Sequence, residues 1–192
     1  MGRDIPKVLD DDEQAALLGA CNTRYTNGVK NRAMMLTMLN AGLRVSEVSS
    51  LRLSDVDMSE GCIHVVDGKG DRDRKVWFNG ELRDALSGWL EVRPSSSEGW
   101  MFPTRNGTAT SPRSVRRTVK RYAERAGIDW WESVSPHTLR HTFATDLYRE
   151  TGNIRLVQKA LGHADISTTM IYTHIVDDEL EGAMKALRRN VS

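Results

Sequence analysis

The chain has 192 residues, of which 39% are hydrophobic and 28% are charged, and its formal net charge is +1. This length and composition are typical of one globular domain, with or without a small appendage, that buries an ordinary core. The sequence has no apolar run of about 18 residues, and its start lacks a basic segment followed by an apolar one. These features argue against a membrane span and a signal peptide, so we expect an intracellular, cytoplasmic protein.

Charged residues are unevenly distributed although the net charge is small. An acidic run covers residues 10–13, and a basic run contains Arg113, Arg116, Arg117, Lys120, Arg121 and Arg125. A nearly neutral protein can therefore carry one strongly positive face. The two cysteines, Cys21 and Cys62, form no CxxC pair, and we expect both to be reduced core thiols.

The first fifty residues predict three helices. Residues 1–9 are expected to be a tail or the remnant of a linker, and Asp10 is suited to cap a helix that reaches about residue 20. A second helix is predicted over about 29–40, followed by Gly42 in the left-handed position that ends many helices. Ser46 is expected to cap a short third helix.

The sequence pattern changes after about residue 60. Two β-prone runs, at 63–66 and 75–78, flank the turn-rich segment 67–71, which is a pattern typical of a β-hairpin. The next helix is predicted over about 79–92, and a polar loop follows it.

The last part of the chain predicts helices again. Ser111 followed by Pro112 marks the start of a helix that reaches about residue 126, with apolar and basic residues on different faces. Further helices are expected at about 136–150, 154–161, 167–175 and 177–189. The predicted fold class is therefore α+β, mainly α-helical, with a small antiparallel β-sheet.

Several polar residues form a set that suits chemistry at a phosphodiester. The set comprises Arg44, Glu47, Lys69, His137, Arg140, His163 and Tyr172. His137 and Arg140 are three residues apart on one predicted helix and therefore share a face. Arginine forks bind non-bridging phosphate oxygens, tyrosine can act as a covalent nucleophile, and lysine can deliver a proton to a leaving oxygen.

Four segments that contain these residues resemble the signatures of the tyrosine recombinases, the family of phage integrases and Xer-like proteins. AGLRVSEVSSLRLSDVD is similar to the first signature, SPHTLRHTFATDLY to the second and LGHADISTTMIYTH to the third. GKGDRDRKV is similar to the family's β-hairpin with its catalytic lysine. The segments occur in the family's order, and the resemblance covers nearly all of residues 8–189. It implies the catalytic-domain fold of this family.

The resemblance also implies how the chain would cleave DNA. Tyr172 attacks the scissile phosphate and becomes a 3′-phosphotyrosyl ester, with His137 acting as acid and base beside it and Lys69 protonating the leaving 5′ hydroxyl. The ester stores the bond energy, so no metal, ATP or other cofactor is expected. A 5′ hydroxyl of a partner strand then reverses the step, and two such exchanges through a Holliday junction recombine two duplexes.

The remaining residues of the set are implied to hold the phosphate. Arg44 and Arg140 clamp it and neutralise the charge of the transition state, each contact lowering the barrier by roughly 3 kcal/mol. His163 hydrogen-bonds a non-bridging oxygen, and Glu47 orients the cluster without touching the phosphate.

Each of these residues also has an ordinary structural explanation. Tyr172 alone would more often be a packed helical tyrosine, and Arg44 alone could satisfy carbonyls at a helix end. His137 and His141 lie one turn apart and could bind zinc, but no spacing elsewhere supplies the other ligands, so no metal is expected. We expect His141 and His174 to be buried or to support the site. The joint pattern favours the functional reading.

The helix that starts at Pro112 is the expected contact to the DNA backbone. The residues assigned to this contact are Arg113, Arg116, Arg117, Lys120 and Arg121. Such contacts supply affinity rather than sequence choice, and the alternative is a solvated charged face. Lys30, Arg72 and Arg74 are expected to extend the same surface.

The predicted domain organisation assigns residues 10–176 to the catalytic domain and 177–192 to a C-terminal helix. The family usually adds an N-terminal core-binding domain, so we expect a shortened protein rather than a minimal recombinase. An apolar stripe on the last helix contains Leu180, Ala183, Met184 and Leu187. The resemblance implies that this helix is exchanged between protomers of a homotetramer on DNA, with a monomer in free solution; packing on its own domain is the alternative.

The sequence therefore predicts a site-specific recombinase or integrase that acts on double-stranded DNA. One alternative is a type IB topoisomerase-like activity that relaxes DNA with the same nucleophile. Another is a non-catalytic DNA-binding accessory module, against which the complete polar set argues. A metal-dependent nuclease would need carboxylates near the histidines, and the sequence places none there.

Overall fold

The computed structural model describes residues 6–65, 73–95, 98–163 and 169–187. Within these ranges the chain forms α-helices, two short 3-10 helices and one three-stranded antiparallel sheet. The predicted fold class, mainly helical with a small antiparallel sheet, is confirmed. No helix in these ranges has the length and hydropathy of a membrane-spanning segment.

The elements follow one another in an order that places the small sheet between two groups of helices. The helices are α1 (Asp11–Gly19), α2 (Thr26–Ala41), α3 (Val45–Ser50), α4 (Gly80–Val92), α5 (Pro112–Arg125), α6 (Pro136–Thr151), α7 (Ile154–Leu161) and α8 (Ile171–Leu187). The strands are β1 (Val56–Asp57), β2 (Cys62–Val65) and β3 (Arg74–Trp77), with β2 in the centre. The 3-10 helices cover Leu53–Asp55 and Trp131–Ser133.

Local capping explains where two helices begin. At α1 the Glu13 amide donates to Asp10 Oδ1 at 2.8 Å and the Asp10 amide donates to Glu13 Oε2 at 3.2 Å, which is a complete capping box. At α5 the Ser111 hydroxyl accepts from the Ser114 amide, and Pro112 occupies the first turn. Both predicted helix starts are confirmed.

Helix α2 is the centre of the larger hydrophobic core. It is buried on most sides, because α4 and α6 cover it from two directions. Trp89 of α4 closes one side of this core, where its indole N–H donates to the Met101 carbonyl at 2.8 Å and its ring stacks on Phe102. Cys21 and Cys62 are buried and free, as expected.

Three expectations about secondary structure are wrong. Helix α3 begins at Val45 with Arg44 at its N-cap, so Ser46 is not the cap. A third strand, β1, pairs with β2, and at two residues it is too short to show the alternation that predicts a strand. Helix α8 is continuous where a break before Asp177 was predicted, because packing of the helix outweighs the capping preference of one aspartate.

The segment before α1 belongs to the folded domain, so the predicted tail over residues 1–9 is wrong at its end. Leu9 is fully buried in the larger core, and its amide donates to Thr142 Oγ1 of α6 at 3.0 Å. Val8 packs against a second, smaller cluster that contains Ala144 and Tyr172. Two consecutive apolar side chains therefore reach two parts of the core. The proposed boundary at residue 177 falls inside α8.

The end of α2 generates a prediction about stability. Gly42 has a φ of 63°, and a Cβ placed there would lie 2.3 Å from Phe143 Cδ1. Gly152 has a similar φ of 61°, but nothing lies within 4 Å of its Cβ position. Gly42→Ala should lower the free energy of unfolding by about 3 kcal/mol, because backbone strain and overpacking add. Gly152→Ala should lower it by about 1 kcal/mol through strain alone.

Urea unfolding followed by circular dichroism measures both variants against the unchanged chain. Equal losses in the two variants would show that the Phe143 ring moves away without cost, which would contradict the packing argument.

Candidate active site

Arg140 is anchored where the ends of two helices meet. It lies on α6 with 6% of its surface exposed. Its Nη1 donates to the Gly42 carbonyl at 2.6 Å, and its Nη2 donates to the Leu161 carbonyl at 2.8 Å. Burial, with the charge of Arg44, lowers the pKa of Arg140 to about 10, so the guanidinium stays charged at neutral pH. The ends of α2 and α7 therefore fix a buried cation in one orientation.

Three guanidiniums surround the carboxylate of Glu47. Its side chain is 8% exposed, and its Oε2 accepts from the Arg44 amide at 2.7 Å. Arg44 Nη1 donates to Oε1 at 3.1 Å, and both terminal nitrogens of Arg74 bond the carboxylate at 2.8 Å each. Arg140 Nη1 lies 3.9 Å from Oε2. These side chains, from α3 and its N-cap, β3 and α6, form what we call the Glu47 cluster: Arg44, Glu47, Arg74 and Arg140.

The charge state of Glu47 follows from its neighbours. Burial alone would raise the pKa of this carboxyl group, but the hydrogen bonds and charge of Arg74 outweigh burial. The Arg44 amide and the charge of Arg140 add to the effect, so the pKa of Glu47 lies below its ordinary value. The cluster consequently combines one anion with three cations and keeps a net positive charge at neutral pH.

His163 joins this cluster through Arg140. It follows Gly162, which ends α7 with a φ of 68°. Arg140 Nη2 lies 3.3 Å from His163 Nε2, and His163 Nδ1 lies 3.0 Å from Thr169 Oγ1. Because a guanidinium only donates, Nε2 accepts, and we infer the neutral tautomer in which Nδ1–H donates to Thr169. The imidazole is thus held from both ring nitrogens.

Tyr172 is buried beside the same group of residues. Its side chain is 1% exposed, and its hydroxyl lies 2.9 Å from His141 Nδ1. The Tyr172 amide donates to the Thr169 carbonyl at 3.1 Å. Thr169 therefore contacts His163 through its side chain and begins the turn that leads to Tyr172 through its carbonyl. Burial raises the pKa of Tyr172 to about 12, although the charge of Arg140 opposes this shift. The phenol is therefore protonated at neutral pH.

The Tyr172 hydroxyl donates a hydrogen bond to His141. Burial, followed by the charges of His137 and Arg140, lowers the pKa of His141 to about 4, so the imidazole is neutral and Nδ1 can accept. The sequence predicts only a buried or supporting residue here. Its place directly after Arg140, and one turn after His137, is the sequence signal for a position near the site.

His137 lies on the exposed side of the same helix. Partial burial and the charges of Arg116, Arg140 and Arg44, in that order, lower the pKa of His137. The described hydrogen bond of the Tyr172 phenol goes to His141 rather than to His137. The predicted acid–base role of His137 stays a prediction, and the cations around this imidazole mark a place that favours an anion.

The basic residues of α5 are exposed, as expected for a DNA contact. Helix α5 packs against α3 and α6, and Arg116 is the member whose charge acts on His137. Lys120 lies over the Trp131 ring at 5.3 Å, and Arg121 lies over the Tyr122 ring at 5.4 Å. The basic surface of α5 therefore borders the site along its Arg116 side.

Other residues that the sequence assigned to the site or to the DNA-facing surface differ in their surroundings. Lys69 and Arg72 lie outside the described residues. Arg74 was expected on the DNA-facing surface, and this is wrong, because its side chain is 5% exposed and paired with Glu47. Lys30 is partly buried and donates to the Pro103 carbonyl at 3.2 Å. His174 is exposed, so its expected burial is also wrong, because it falls on the outer face of α8.

His137 and His141 lie one turn apart on α6, a spacing that can bind a metal ion if further ligands are close. Among the described residues, no three His, Cys, Asp or Glu side chains are grouped in a way that would hold a metal ion. The described hydrogen bond of His141 Nδ1 goes to the Tyr172 hydroxyl.

Comparison with known proteins places this arrangement in a family. The model of the phage integrase family matches residues 7–179. The chain is 40% identical over 176 residues to tyrosine recombinase XerC of Vibrio cholerae serotype O1, which covers 90% of this chain and 55% of that protein. It is 40% identical over 184 residues to tyrosine recombinase XerD of Ralstonia nicotianae, covering 92% of this chain and 58% of that protein.

Solved structures show the same fold. XerA recombinase superposes with a TM-score of 0.84 at 34% identity, covering 97% of this chain and 67% of that chain. XerH site-specific recombinase, in a post-cleavage complex with its difH substrate, gives 0.81 at 29% identity and covers 96% and 54%. The catalytic domain of bacteriophage HP1 integrase gives 0.66 at 28% identity and covers 93% of both chains.

The chain belongs to the phage integrase family, and its fold is that of a tyrosine recombinase catalytic domain. It spans little more than half the length of the curated relatives that it matches.

The buried His141 generates a prediction about pH. An unfolded imidazole takes up its proton below about pH 6.5, whereas the folded one does so only near its lowered pKa of about 4. The free energy of unfolding should therefore fall as the pH drops from about 6.5 to 4. His141→Gln keeps an acceptor for the Tyr172 hydroxyl but does not titrate, so its decline over this window should be shallower.

Urea unfolding at several pH values tests this expectation. His137 also has a lowered pKa, so the variant should retain part of the slope. Identical slopes for the variant and the unchanged chain would contradict the burial of a neutral His141.

Proposed function

We propose that this chain is the catalytic domain of a site-specific DNA recombinase that cuts and rejoins strands through a 3′-phosphotyrosyl intermediate. One observation carries the proposal. Arg140 contacts His163 at 3.3 Å, while the next residue, His141, holds the hydroxyl of Tyr172 at 2.9 Å. A phosphate ligand and a phenol nucleophile are therefore adjacent within a single chain.

The phosphate would be bound by the cationic side of the site. Arg44 is the most exposed arginine of the Glu47 cluster, with 26% of its side chain accessible. Arg44 and Arg140 would each bond a non-bridging oxygen, since planar guanidiniums match phosphate geometry. His163 would bond a non-bridging oxygen through Nε2, which must then carry a proton and give up its contact with Arg140. These contacts stabilise the charge that develops on the phosphoryl group in the transition state.

The nucleophile would need to lose its proton before or during attack. Tyr172 Oη forms the bond to phosphorus, the bond from phosphorus to the 5′ oxygen breaks, and a proton returns to that oxygen. The resemblance assigns the last proton to Lys69 and the acid–base role beside the phenol to His137. The hydrogen bond to neutral His141 keeps Tyr172 protonated and buried in the DNA-free chain, which would protect the nucleophile until a phosphate arrives.

Double-stranded DNA is the proposed partner, which would place the activity in the cytoplasm. XerH, at 29% identity, has been solved on its difH substrate, which supports this choice. We infer a homotetramer on DNA and a monomer in free solution, with α8 exchanged between protomers. Leu180 and Met184 of α8 are 61% and 55% exposed, so this part of the predicted apolar stripe is available for a neighbour. The side chains of Ala183 and Leu187 lie outside the described residues.

The two alternatives have less support. A non-catalytic accessory module would not need a phenol, an imidazole and guanidiniums in one network. A topoisomerase-like activity would share the nucleophile, but it would rejoin each cut strand to its own 5′ end, whereas a recombinase joins it to a partner strand.

A nicked suicide substrate tests the proposed chemistry. We expect the chain to form a covalent adduct, in EDTA, with a library of duplexes in which randomised sequence surrounds the nick. Tyr172→Phe should abolish the adduct, because it removes the attacking oxygen, while His174→Ala serves as a control on the outer face of α8. Adducts are isolated under denaturing conditions, and their DNA is sequenced.

A site-specific recombinase should enrich one sequence among the adducts, and adducts of random sequence would contradict site-specific cleavage. An adduct that survives Tyr172→Phe would overturn the assignment of the nucleophile.

The basic surface of α5 generates a separate prediction about binding. Arg113→Ala combined with Arg117→Ala should weaken binding to all DNA sequences. The slope of log K against log salt should become shallower by about 2, since about 0.9 is lost for each phosphate contact. The control combines Arg125→Ala with Lys185→Ala, removing the same charge from a residue stacked on Tyr122 and from one paired with Glu181.

Fluorescence anisotropy at several salt concentrations measures both variants. A loss confined to one DNA sequence, or equal slopes in test and control variants, would contradict backbone contact by α5.

A further inference from the structure

Arg74 is a buried arginine that has no role in the proposed chemistry and does not lie on the DNA-facing surface where the sequence placed it. It is the first residue of β3, at the end of the strand pair where Val65 and Arg74 are partners. We propose that Arg74 is a positioning residue: it makes two hydrogen bonds to the carboxylate of Glu47, and it thereby keeps Arg140 from becoming the close partner of that carboxylate. This inference rests on the proposed function of the site.

The guanidinium of Arg74 makes a hydrogen bond through each of its three nitrogen atoms. Nη1 donates to Glu47 Oε1 and Nη2 donates to Glu47 Oε2, both at 2.8 Å. Nε donates to the Ala160 carbonyl in the last turn of α7 at 2.9 Å. The Arg74 and Glu47 side chains are 5% and 8% exposed, so water does not compete strongly for these bonds. One guanidinium therefore ties β3 both to α3 and to the end of α7.

The contact with α7 reaches the base of His163. A Cβ added to Gly162 would lie 2.9 Å from Arg74 Cδ, and the φ of Gly162 is 68°. A glycine is thus needed both for the backbone turn and for the close approach of Arg74. The end of α7, next to His163, therefore packs against the Arg74 side chain, which also binds Glu47.

The distances around Glu47 indicate what Arg74 prevents. The strongest partner of a buried carboxylate is one arginine that donates two parallel hydrogen bonds to its two oxygens. Arg74 occupies that place, so Arg140 Nη1 remains 3.9 Å from Oε2, beyond hydrogen-bond distance. Without Arg74, the carboxylate would draw in Arg140 as its partner. Arg140 would then be neutralised by Glu47 instead of by the phosphate.

The electrostatic consequence distinguishes this role from simple packing. With Arg74 in place, Glu47 is already compensated, and the charges of Arg44 and Arg140 act on the incoming phosphate. The benefit of Arg74 should therefore depend on the negative charge of that phosphate. A residue that only stabilised the fold would give the same benefit whatever the charge of the substrate.

The experiment compares single-turnover cleavage by the full chain on two substrates. Both carry the DNA sequence recovered from the adduct library, and one has a neutral methylphosphonate at the scissile position. The variants are Arg74→Met, Arg74→Lys, and Arg74→Met combined with Glu47→Gln. The matched control is Arg93→Met, because the bonds of Arg93 within the described residues go to the Trp100 carbonyl, at 2.6 and 3.2 Å, away from the site.

On the charged substrate, Arg74→Met should slow cleavage by about 100-fold or more, comparable to the loss of one transition-state contact. Arg74→Lys keeps the charge but not the fork, so its loss should be smaller. The double variant should cleave faster than Arg74→Met alone, since no carboxylate remains to capture Arg140. On the methylphosphonate, the loss for Arg74→Met should shrink to less than about tenfold. Arg93→Met should cleave both substrates at the unchanged rate.

The outcomes separate the inference from the proposed function. Absence of a Tyr172-dependent adduct with the unchanged chain would contradict the proposed function itself. If the unchanged chain cleaves and Arg74→Met cleaves equally well, or loses the same factor on both substrates, the positioning role is wrong. Circular dichroism establishes which variants are folded, and if Arg74→Met does not fold, the comparison of the two substrates is made with Arg74→Lys.

Discussion

The carboxylate of Glu47, held between guanidiniums, is the interaction on which the rest of this site depends. Three arginines in a small volume would repel one another, and burying them without an anion would be costly. Glu47 offsets that repulsion because its pKa is lowered, mainly by the hydrogen bonds and charge of Arg74 acting against burial. The cluster keeps a net positive charge, which the proposed binding of a phosphate requires.

The surrounding fold brings this cluster close to Tyr172, the proposed nucleophile. The end of α2, with Gly42 in the left-handed conformation, offers a carbonyl to Arg140, and the end of α7 offers another. From there two short connections reach Tyr172. One runs through His163 and Thr169 to the turn before α8, and the other runs through His141 to the phenol itself. Each connection is made of hydrogen bonds between buried or half-buried groups.

Sequence patterns predicted the helical class and most helix starts, because caps, turns and short motifs act over few residues. They also pointed to Arg44, Glu47, Arg140, His163 and Tyr172, which the structure brings close together. They did not predict that Arg74 is buried or that His141 bonds the phenol. Arg74 and Glu47 are 27 residues apart, and His141 and Tyr172 are 31 residues apart. Such pairs are set by the packing of β3 and α8 onto the core, which local preferences do not encode. The continuity of α8 was missed for the same reason.

The most direct measurement is a structure of the chain trapped on nicked DNA. The account predicts one phosphorus atom bonded to Tyr172 Oη, with Arg44 and Arg140 each within hydrogen-bond distance of its non-bridging oxygens, in the same protomer or across two. It also predicts that Arg74 still bonds both oxygens of Glu47. A phosphoryl group on another residue, or the two arginines bound to different phosphates, would contradict it.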